Sequence, residues 1–340
     1  MTQPVTPTPG PRRAVSTTPP RATGSVRRTT SIDMTRPDGM FGDVVADVRG
    51  RDLVTADDGE ARVTDRFEAT LTIDQQSGRV LRVERGAGTI DPSALVGWNV
   101  RRGFGRALAD TFPEEAARRS LAYSTLDDLN GTFLISGYAL LREGLLVGTP
   151  EQGAERAAAQ ADICAGWVSG GPIVETLRLT GGNAVPIGPE APVLDSPADG
   201  LSWHPVAPLA TTTVRRRRRL DVGRSEGSGT TWTAQSHLRD SYAGADVENV
   251  MHEYLVDTTL DASARRLTGV EVQTRVLPWQ ECPAAAASAQ RLVGIELAEV
   301  VERVRADFVG PSTCTHLNST LRALADLQAL QRLLVEDPAA

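Results

Sequence analysis

The sequence contains no lysine, because all 36 of its basic residues are arginine. This absence excludes Schiff-base catalysis, attachment of a cofactor through lysine, Walker-type phosphate loops and serine–lysine hydrolases, each of which needs a lysine amine. The sequence also has only four histidines and three cysteines. Three cysteines are too few for a secreted disulfide framework, so we expect reduced thiols and a cytoplasmic protein.

Long apolar segments are also missing. The most apolar window, residues 131–148, is interrupted by Arg142 and Glu143 and falls short of the roughly 18 residues that a membrane helix requires. The first 30 residues are rich in Arg, Thr and Pro and have no apolar core, unlike a secretory signal. We therefore predict no membrane association.

The remaining composition is that of a folded protein with a long N-terminal arm. The chain has 340 residues, 40% of them hydrophobic, and a net charge of −7. This length favours two domains over one, since single cores rarely exceed about 250 residues. Residues 1–25 are proline-rich, carry basic but no acidic side chains and offer little to bury, which predicts a disordered basic arm.

An internal repeat runs through the rest of the sequence. Residues 26–33 match residues 214–221, and further short matches follow in the same order at nearly constant offsets. Ordered matches of this kind indicate a duplicated unit. The offset grows after residue 83, so the first copy lacks about ten residues where the second copy carries Cys282. Further aligned pairs are Asp74 with Asp261, Leu95 with Leu292, Asp110 with Asp307, and Ser124 with Ser319.

Each copy predicts strands first and helices afterwards. In the first copy, alternating apolar positions predict strands at 30–36, 43–48, 67–73 and 80–85, and helical periodicity covers 96–109 and 114–129. In the second copy the helices are expected at 283–308 and 312–334. The prediction is an α+β fold of two tandem repeats, each an antiparallel strand meander followed by two helices. The predicted units are residues 26–149, a degenerate first repeat; 150–213, a helix and Pro/Gly-rich linker; and 214–335, a second repeat with a Cys/His site.

Chemistry-bearing residues concentrate in the second copy. Cys282 precedes Pro283, and Cys314 enters the last predicted helix, so both thiols are expected at helix N-termini, where the helix dipole favours a thiolate. His252 stands near the start of a predicted strand, and His316 follows Cys314 by two residues. Two cysteines and two histidines can hold zinc or a [2Fe–2S] cluster. The alternative is that the cysteines are small buried hydrophobes and His316 a hydrogen-bonded residue at the helix entry.

The same residues carry a family resemblance. The segment Arg275-Val276-Leu277-Pro278-Trp279-Gln280-Glu281-Cys282-Pro283, followed by Thr313-Cys314-Thr315-His316-Leu317, resembles a bacterial family of domains of unknown function, number 2889. Its members typically carry a His at a strand start, a Cys-Pro helix start and a Gly-Cys-Thr-His-Leu motif. The resemblance implies that His252, Cys282, Cys314 and His316 act together. The order of these residues is also similar to NifU/IscU-type iron–sulfur scaffold proteins, at the level of layout.

The first copy does not reproduce this set. The offsets place Asp65 opposite His252, and Arg119 and Leu121 opposite Cys314 and His316, while the loop with Cys282 is missing. We therefore expect the first copy to serve as a packing partner or lid.

The sequence indicates that the protein binds a metal, either zinc or an iron–sulfur centre, through His252, Cys282, Cys314 and His316. The alternative is a thiol- or metal-dependent enzyme acting on an acyl thioester or a similar small substrate, with Cys314 or Cys282 as nucleophile and His252 or His316 as base. Small-molecule, protein and homo-oligomeric partners stay open at this point, and the acidic net charge disfavours nucleic acid.

Two further features suggest structural roles. Residues 215–219 are five consecutive arginines, which we interpret as a solvated face on an edge strand, where positive charges block unwanted strand pairing. The segment Trp203-His204-Pro205 is interpreted as an anchor that packs the linker against the rest of the molecule.

Overall fold

One eight-stranded antiparallel sheet forms the centre of the molecule. In the computed structural model, which describes residues 6–146, 148–225 and 230–335, the strand order is β4-β3-β2-β1-β5-β6-β7-β8. Two meanders of four consecutive strands thus meet through the pairing of β1 with β5. The strands are β1 (Ser25–Thr35), β2 (Val44–Thr55), β3 (Ala61–Ile73), β4 (Val80–Arg85), β5 (Val214–Arg224), β6 (Thr231–Ala243), β7 (Glu248–Asp261) and β8 (Arg266–Val276).

Helices follow each meander, in shorter pieces than the sequence predicts. Glycines with positive φ interrupt the predicted helix at 96–109, at Gly97 (φ 87°) and Gly103 (φ 87°), and Gly294 (φ 87°) does the same in the second copy. The helices after β4 are α1 (Phe104–Thr111), α2 (Pro113–Arg118), α3 (Leu121–Asp127), α4 (Leu129–Ser136) and α5 (Tyr138–Arg142). The later ones are α6 (Pro150–Gln160), α7 (Pro172–Thr180), α8 (Val300–Asp307), α9 (Thr315–Arg322) and α10 (Leu327–Val335).

Short 3-10 helices connect these elements. The longest, Cys282–Leu292, begins at Cys282 itself with Glu281 as its cap, so Cys282 lies at a helix N-terminus, as predicted. The remaining 3-10 helices are Pro92–Leu95, Ala165–Trp167, Leu297–Glu299, Gly310–Ser312 and Ala323–Asp326. Among the described residues, no helix is both long and apolar enough to cross a membrane.

The sheet has two differently covered faces. Helices α3, α4, α9 and α10 contact one face of the strands around β1 and β5. Apolar side chains form two main cores there, one mostly from β1–β4 with α1–α5, which we call the first half, and one mostly from β5–β8 with α8–α10, the second half. The opposite face is polar and is covered by the linker and the N-terminal arm.

The arm is ordered, which corrects the prediction of disorder, from the first described residue onward; residues 1–5 lie outside the described residues. Gly10 donates a backbone hydrogen bond to the carbonyl of Pro278, just after β8, and Arg13 donates one to the carbonyl of Arg275 within β8. Further along, the Arg21 guanidinium pairs with Asp199 at 3.0 Å. An extended, proline-rich segment needs few apolar side chains for this placement, because backbone and charge contacts hold it.

The five arginines at 215–219 are buried in β5, a central strand, so the prediction of a solvated edge strand is wrong. Each side chain finds a partner on the face that it points to. Arg216 and Arg218 point to the helices and bind Asp240 and Asp128 at 2.7 and 2.8 Å. On the other face Arg215 binds Asp33 at 2.6 Å, Arg217 lies over the ring of Trp203, and Arg219 approaches Asp221.

The linker is anchored on the polar face of the sheet by Trp203 and His204. The Trp203 indole N–H donates to Thr18 Oγ1 at 2.7 Å. His204 is 4% exposed, and its two ring nitrogens lie 2.9 and 2.8 Å from the hydroxyls of Thr29 and Ser31 on β1. This contact supports the predicted anchoring role of the segment.

Burial of His204 predicts a loss of stability in acid. Burial, followed by the charges of nearby arginines, lowers the pKa of His204 from 6.5 to about 3. Below pH 6.5 the unfolded chain therefore binds a proton at this residue that the folded chain does not bind. The stabilising contribution is complete above pH 6.5 and falls with a limiting slope of about 1.4 kcal/mol per pH unit towards pH 3.

Urea unfolding at pH 7.5, 6 and 5 measures this effect. We expect His204→Gln to be less stable than the wild type at pH 7.5 and the two free energies of unfolding to converge as the pH falls. His237, whose pKa burial lowers to about 4, is present in both proteins and cancels in the comparison. Parallel pH profiles would contradict the prediction.

Candidate metal centre

A β-bulge next to the helix-covered face prepares the site. In the pairing of β6 with β7, Asp240 lies opposite His252 and Ser241 opposite Val250, so Met251 is the extra residue. Bulges of this type redirect neighbouring side chains. Here the Asp240 and His252 side chains both reach the start of α9.

The N-terminus of α9 delivers the third side chain. Cys314 is the N-cap of α9, and His316 is the second residue of the helix. The rings of His252 and His316 are stacked, with centroids 3.5 Å apart and planes 17° apart. The helix start thus brings His316 over a strand residue that lies 64 positions earlier in the chain.

Asp240 completes a compact group of three potential ligands. Its Oδ2 lies 3.4 Å from His252 Nδ1 and 3.9 Å from His316 Nε2. One ligand atom from each of the three residues lies within 4.8 Å of the others. The Asp240 side chain is fully buried and the two imidazoles are 15% and 19% exposed, so the group opens to solvent on the histidine side.

The charge of this group is controlled by Arg216. The guanidinium binds both carboxylate oxygens of Asp240, at 2.7 and 3.0 Å. Although burial raises the pKa of Asp240, Arg216 and the nearby imidazoles of His252 and His316 outweigh it, so the pKa lies far below its usual range. Burial and the neighbouring His252 lower the pKa of His316 well below 6.5. A neutral imidazole beside an ionised carboxylate is the state in which both bind metal.

The predicted cysteines have different positions. Cys314 Sγ lies 3.9 Å from His316 Nδ1, on the side of the ring away from Asp240. Cys282 is buried in the apolar core of the second half, with its sulfur against Gly166. Among the described residues, therefore, the group of three ligand atoms comes from Asp240, His252 and His316, while Cys314 lies beside His316 and Cys282 lies in the core.

The expectation of helix-stabilised thiolates is wrong. Backbone N–H groups at the start of α9 do lower the pKa of Cys314, but burial outweighs them and the net shift is upward. Burial also raises the pKa of Cys282, and raises the pKa of Cys164 to about 11. The free-energy cost of desolvating a thiolate in an apolar core exceeds the stabilisation that one helix N-terminus provides.

The first half contains the same scaffold without the histidines. Arg28 binds both oxygens of Asp52, at 2.8 and 2.7 Å, as Arg216 binds Asp240. Asp52 lies opposite Asp65 in the pairing of β2 with β3, next to an equivalent bulge. Asp65 thus takes the place of His252, as the sequence offsets predict. The N-cap of α3 is Ser120. When the starts of α3 and α9 are aligned, Ser120, and not Arg119, therefore takes the place of Cys314.

Comparison with known proteins identifies the second half. Residues 214–330 match the model of a family described as protein of unknown function (DUF2889). Over this segment the chain resembles the DUF2889 family. The resemblance seen in the sequence is thereby confirmed for the segment that contains His252, Cys282, Cys314 and His316. Comparison with curated proteins and with solved structures finds no match.

Sequence reasoning missed Asp240 within the DUF2889 segment. A signal was present, because the offset of 188 that aligns residues 26–33 with 214–221 also aligns Asp52 with Asp240. Neither aspartate belongs to a recognisable motif, and only strand pairing shows that one of them faces a histidine.

The three thiols provide a direct test of the site environment. Because all three have raised pKa values and none is disulfide-bonded, we expect slow reaction with an aromatic disulfide reagent in the folded, metal-free protein at pH 7. All three should react at once after unfolding in guanidinium chloride. A single thiol that reacts rapidly in the folded protein would contradict the raised pKa values of the cysteines.

Proposed function

We propose that the protein binds one divalent metal ion through Asp240, His252 and His316. The observation that carries the proposal is the mutual approach of the three ligand atoms. Two ligands of a tetrahedral zinc ion, with bonds of about 2.0–2.1 Å, stand roughly 3.3 Å apart. The separations of 3.4 and 3.9 Å from Asp240 Oδ2 are close to that value, so small side-chain adjustments suffice.

The donor set favours a metal with open coordination positions. Two imidazoles and one carboxylate occupy three positions and leave the remainder for water or a substrate, as in catalytic zinc and non-haem iron sites. The partial exposure of both histidines is consistent with access to the ion. Zinc or ferrous iron is thus favoured over a [2Fe–2S] cluster, which would require more thiolate ligands.

The pair of Arg216 with Asp240 does not argue against a metal. The corresponding pair of Arg28 with Asp52 is present where no histidine of the described residues is near, which suggests that the ion pair belongs to the scaffold. In the second half the carboxylate has two further neighbours, both able to bind metal. The arginine would hold the carboxylate in orientation, as outer-shell partners of metal ligands do.

A thiol enzyme is the second candidate, and one observation favours it. Cys314 Sγ, the two nitrogens of His316 and Asp240 Oδ2 form a series with separations of 3.9 Å at each end. In this reading Cys314 sulfur bonds to the acyl carbon of a thioester while the carbon–sulfur bond of the substrate breaks. The Cys314 proton passes through His316 to the leaving thiolate.

We also infer that the two halves arose by duplication. The pairing of β1 with β5 is self-complementary, since Arg27 binds Asp221 and Arg215 binds Asp33, each at 2.6 Å. Equivalent bulges and equivalent buried ion pairs support the same inference. In this view the first half lost, or never gained, the histidines.

Metal binding is tested by elemental analysis and by calorimetric titration of chelator-treated protein with zinc. We expect one zinc ion per chain in the wild type. His252→Ala, His316→Ala and Asp240→Asn should each weaken binding by more than the 10–100-fold that is typical for loss of an outer-shell partner. Cobalt substitution then reports through its visible spectrum whether a sulfur is also bound.

Two matched controls accompany these variants. Asp52→Asn breaks the equivalent buried ion pair in the first half, so it should lower stability as Asp240→Asn does while leaving zinc affinity unchanged. Cys282→Ala should also retain zinc. Loss of zinc in Cys282→Ala with retention in Asp240→Asn would favour the Cys2His2 set instead, and a protein that binds no zinc would refute the proposal and leave the thiol enzyme.

A further inference from the structure

A cavity that is chemically distinct from the metal centre lies in the first half, on the face of the sheet that the helices do not cover. It has a volume of about 380 Å³ and lies between strands β2 and β3 and the linker after His204. Three arginine side chains, Arg49, Arg51 and Arg66, line it together with Glu68. This volume is in the range of small-molecule sites.

Two of these arginines have buried donors without a partner. In the part of the chain that the structure describes, Arg51 Nε and Arg49 Nη1 are shielded from solvent and make no hydrogen bond. Arg51 is 4% exposed and uses Nη2 alone, which donates to the Leu201 carbonyl. The nearest carboxylate to Arg49 is Asp33 at 3.9 Å, which already holds Arg215 with both oxygens. Unmet buried donors of this kind are costly.

The charges around the cavity repel one another. Burial, followed by Arg21, Arg66 and Arg27, lowers the pKa of Arg51 to about 10. The neighbouring His204 is neutral, because its pKa is far below 7. Glu68 is exposed and makes no ion pair among the described residues. The cavity is therefore a concentration of positive charge with an incomplete set of counter-ions.

The second half shows what fills the equivalent position there. By strand register Arg51 lies opposite Arg66 on β3, and Arg239 lies opposite Glu253 on β7. Glu253 is fully buried and accepts hydrogen bonds from Arg239 at 2.6 Å, from the Val15 N–H at 2.6 Å and from the ring of His237 at 2.8 Å. The protein supplies its own carboxylate in one half and an arginine at the same register position in the other.

We propose that the cavity of Arg49, Arg51 and Arg66 binds the phosphate group of a small molecule. The phosphate would take the position that the Glu253 carboxylate occupies in the second half and would accept from the free donors of Arg49 and Arg51. Arginine forks match phosphate oxygens in pairs, and a phosphate dianion balances more of the local charge than a carboxylate does. The cavity exceeds the volume of a phosphate group, which leaves space for the rest of a phosphomonoester.

The experiment measures melting temperature in inorganic phosphate and in glycerol phosphate against acetate at equal ionic strength. At ten times the dissociation constant we expect phosphate to raise the Tm of the full-length protein by about 2 °C. Glycerol phosphate should bind at least as tightly as inorganic phosphate, and acetate should have a smaller effect. A wild-type protein that does not respond to phosphate would overturn the proposal.

Arg66→Glu is the decisive variant, because it copies the arrangement of the second half. It should raise the Tm without phosphate, by giving Arg51 a carboxylate, and should abolish the phosphate response. Arg51→Gln should also abolish the response. Arg82→Gln, on the exposed surface of β4, removes one positive charge elsewhere and should respond like the wild type. Retention of the phosphate response in Arg66→Glu, or its loss in Arg82→Gln, would refute the assignment.

Discussion

Buried arginine–carboxylate pairs on the two central strands are the interaction on which the rest of the structure depends. β1 and β5 carry arginines on both faces of the sheet, and these side chains are hardly exposed. Burial of a guanidinium is costly unless carboxylates or carbonyls accept hydrogen bonds from its donors, and loss of one partner of a buried pair costs about 3–5 kcal/mol. Each pair therefore fixes a particular neighbour, whether another strand, a helix or the linker.

These pairs also hold the two halves together. Arg27 and Arg215 bind carboxylates across the central strand pair, while Arg218 reaches Asp128 at the start of α4. In the other direction Arg119, after α2, binds Asp326 of the second half at 2.7 Å. The two meanders form one continuous sheet. Each half depends on charged side chains of the other half to pair its buried ionic groups.

The candidate sites occupy positions where the two halves differ chemically on a shared scaffold. At one register position the first half has Asp65 where the second half has His252. At the next position the first half has Arg66 where the second half has Glu253. One exchange adds a metal-binding imidazole to a buried carboxylate. The other removes a carboxylate from a cluster of arginines. Two adjacent positions in one strand therefore point to opposite faces of the sheet and to different ligands.

The sequence by itself determined the strands of the first meander, and it singled out His252, Cys314 and His316 as candidate site residues, because both follow from local periodicity and from order along the chain. β4 was predicted to the residue, at 80–85. What only the tertiary structure decided depends on strand pairing: Asp240 as the third ligand candidate, Cys282 as a core residue, and the burial of residues 215–219. A run of five arginines fits an exposed edge strand as well as a central one, so the local sequence does not distinguish the two. Their role was set by β1 and β5 pairing with each other, a contact between residues almost 190 positions apart, which no local pattern encodes.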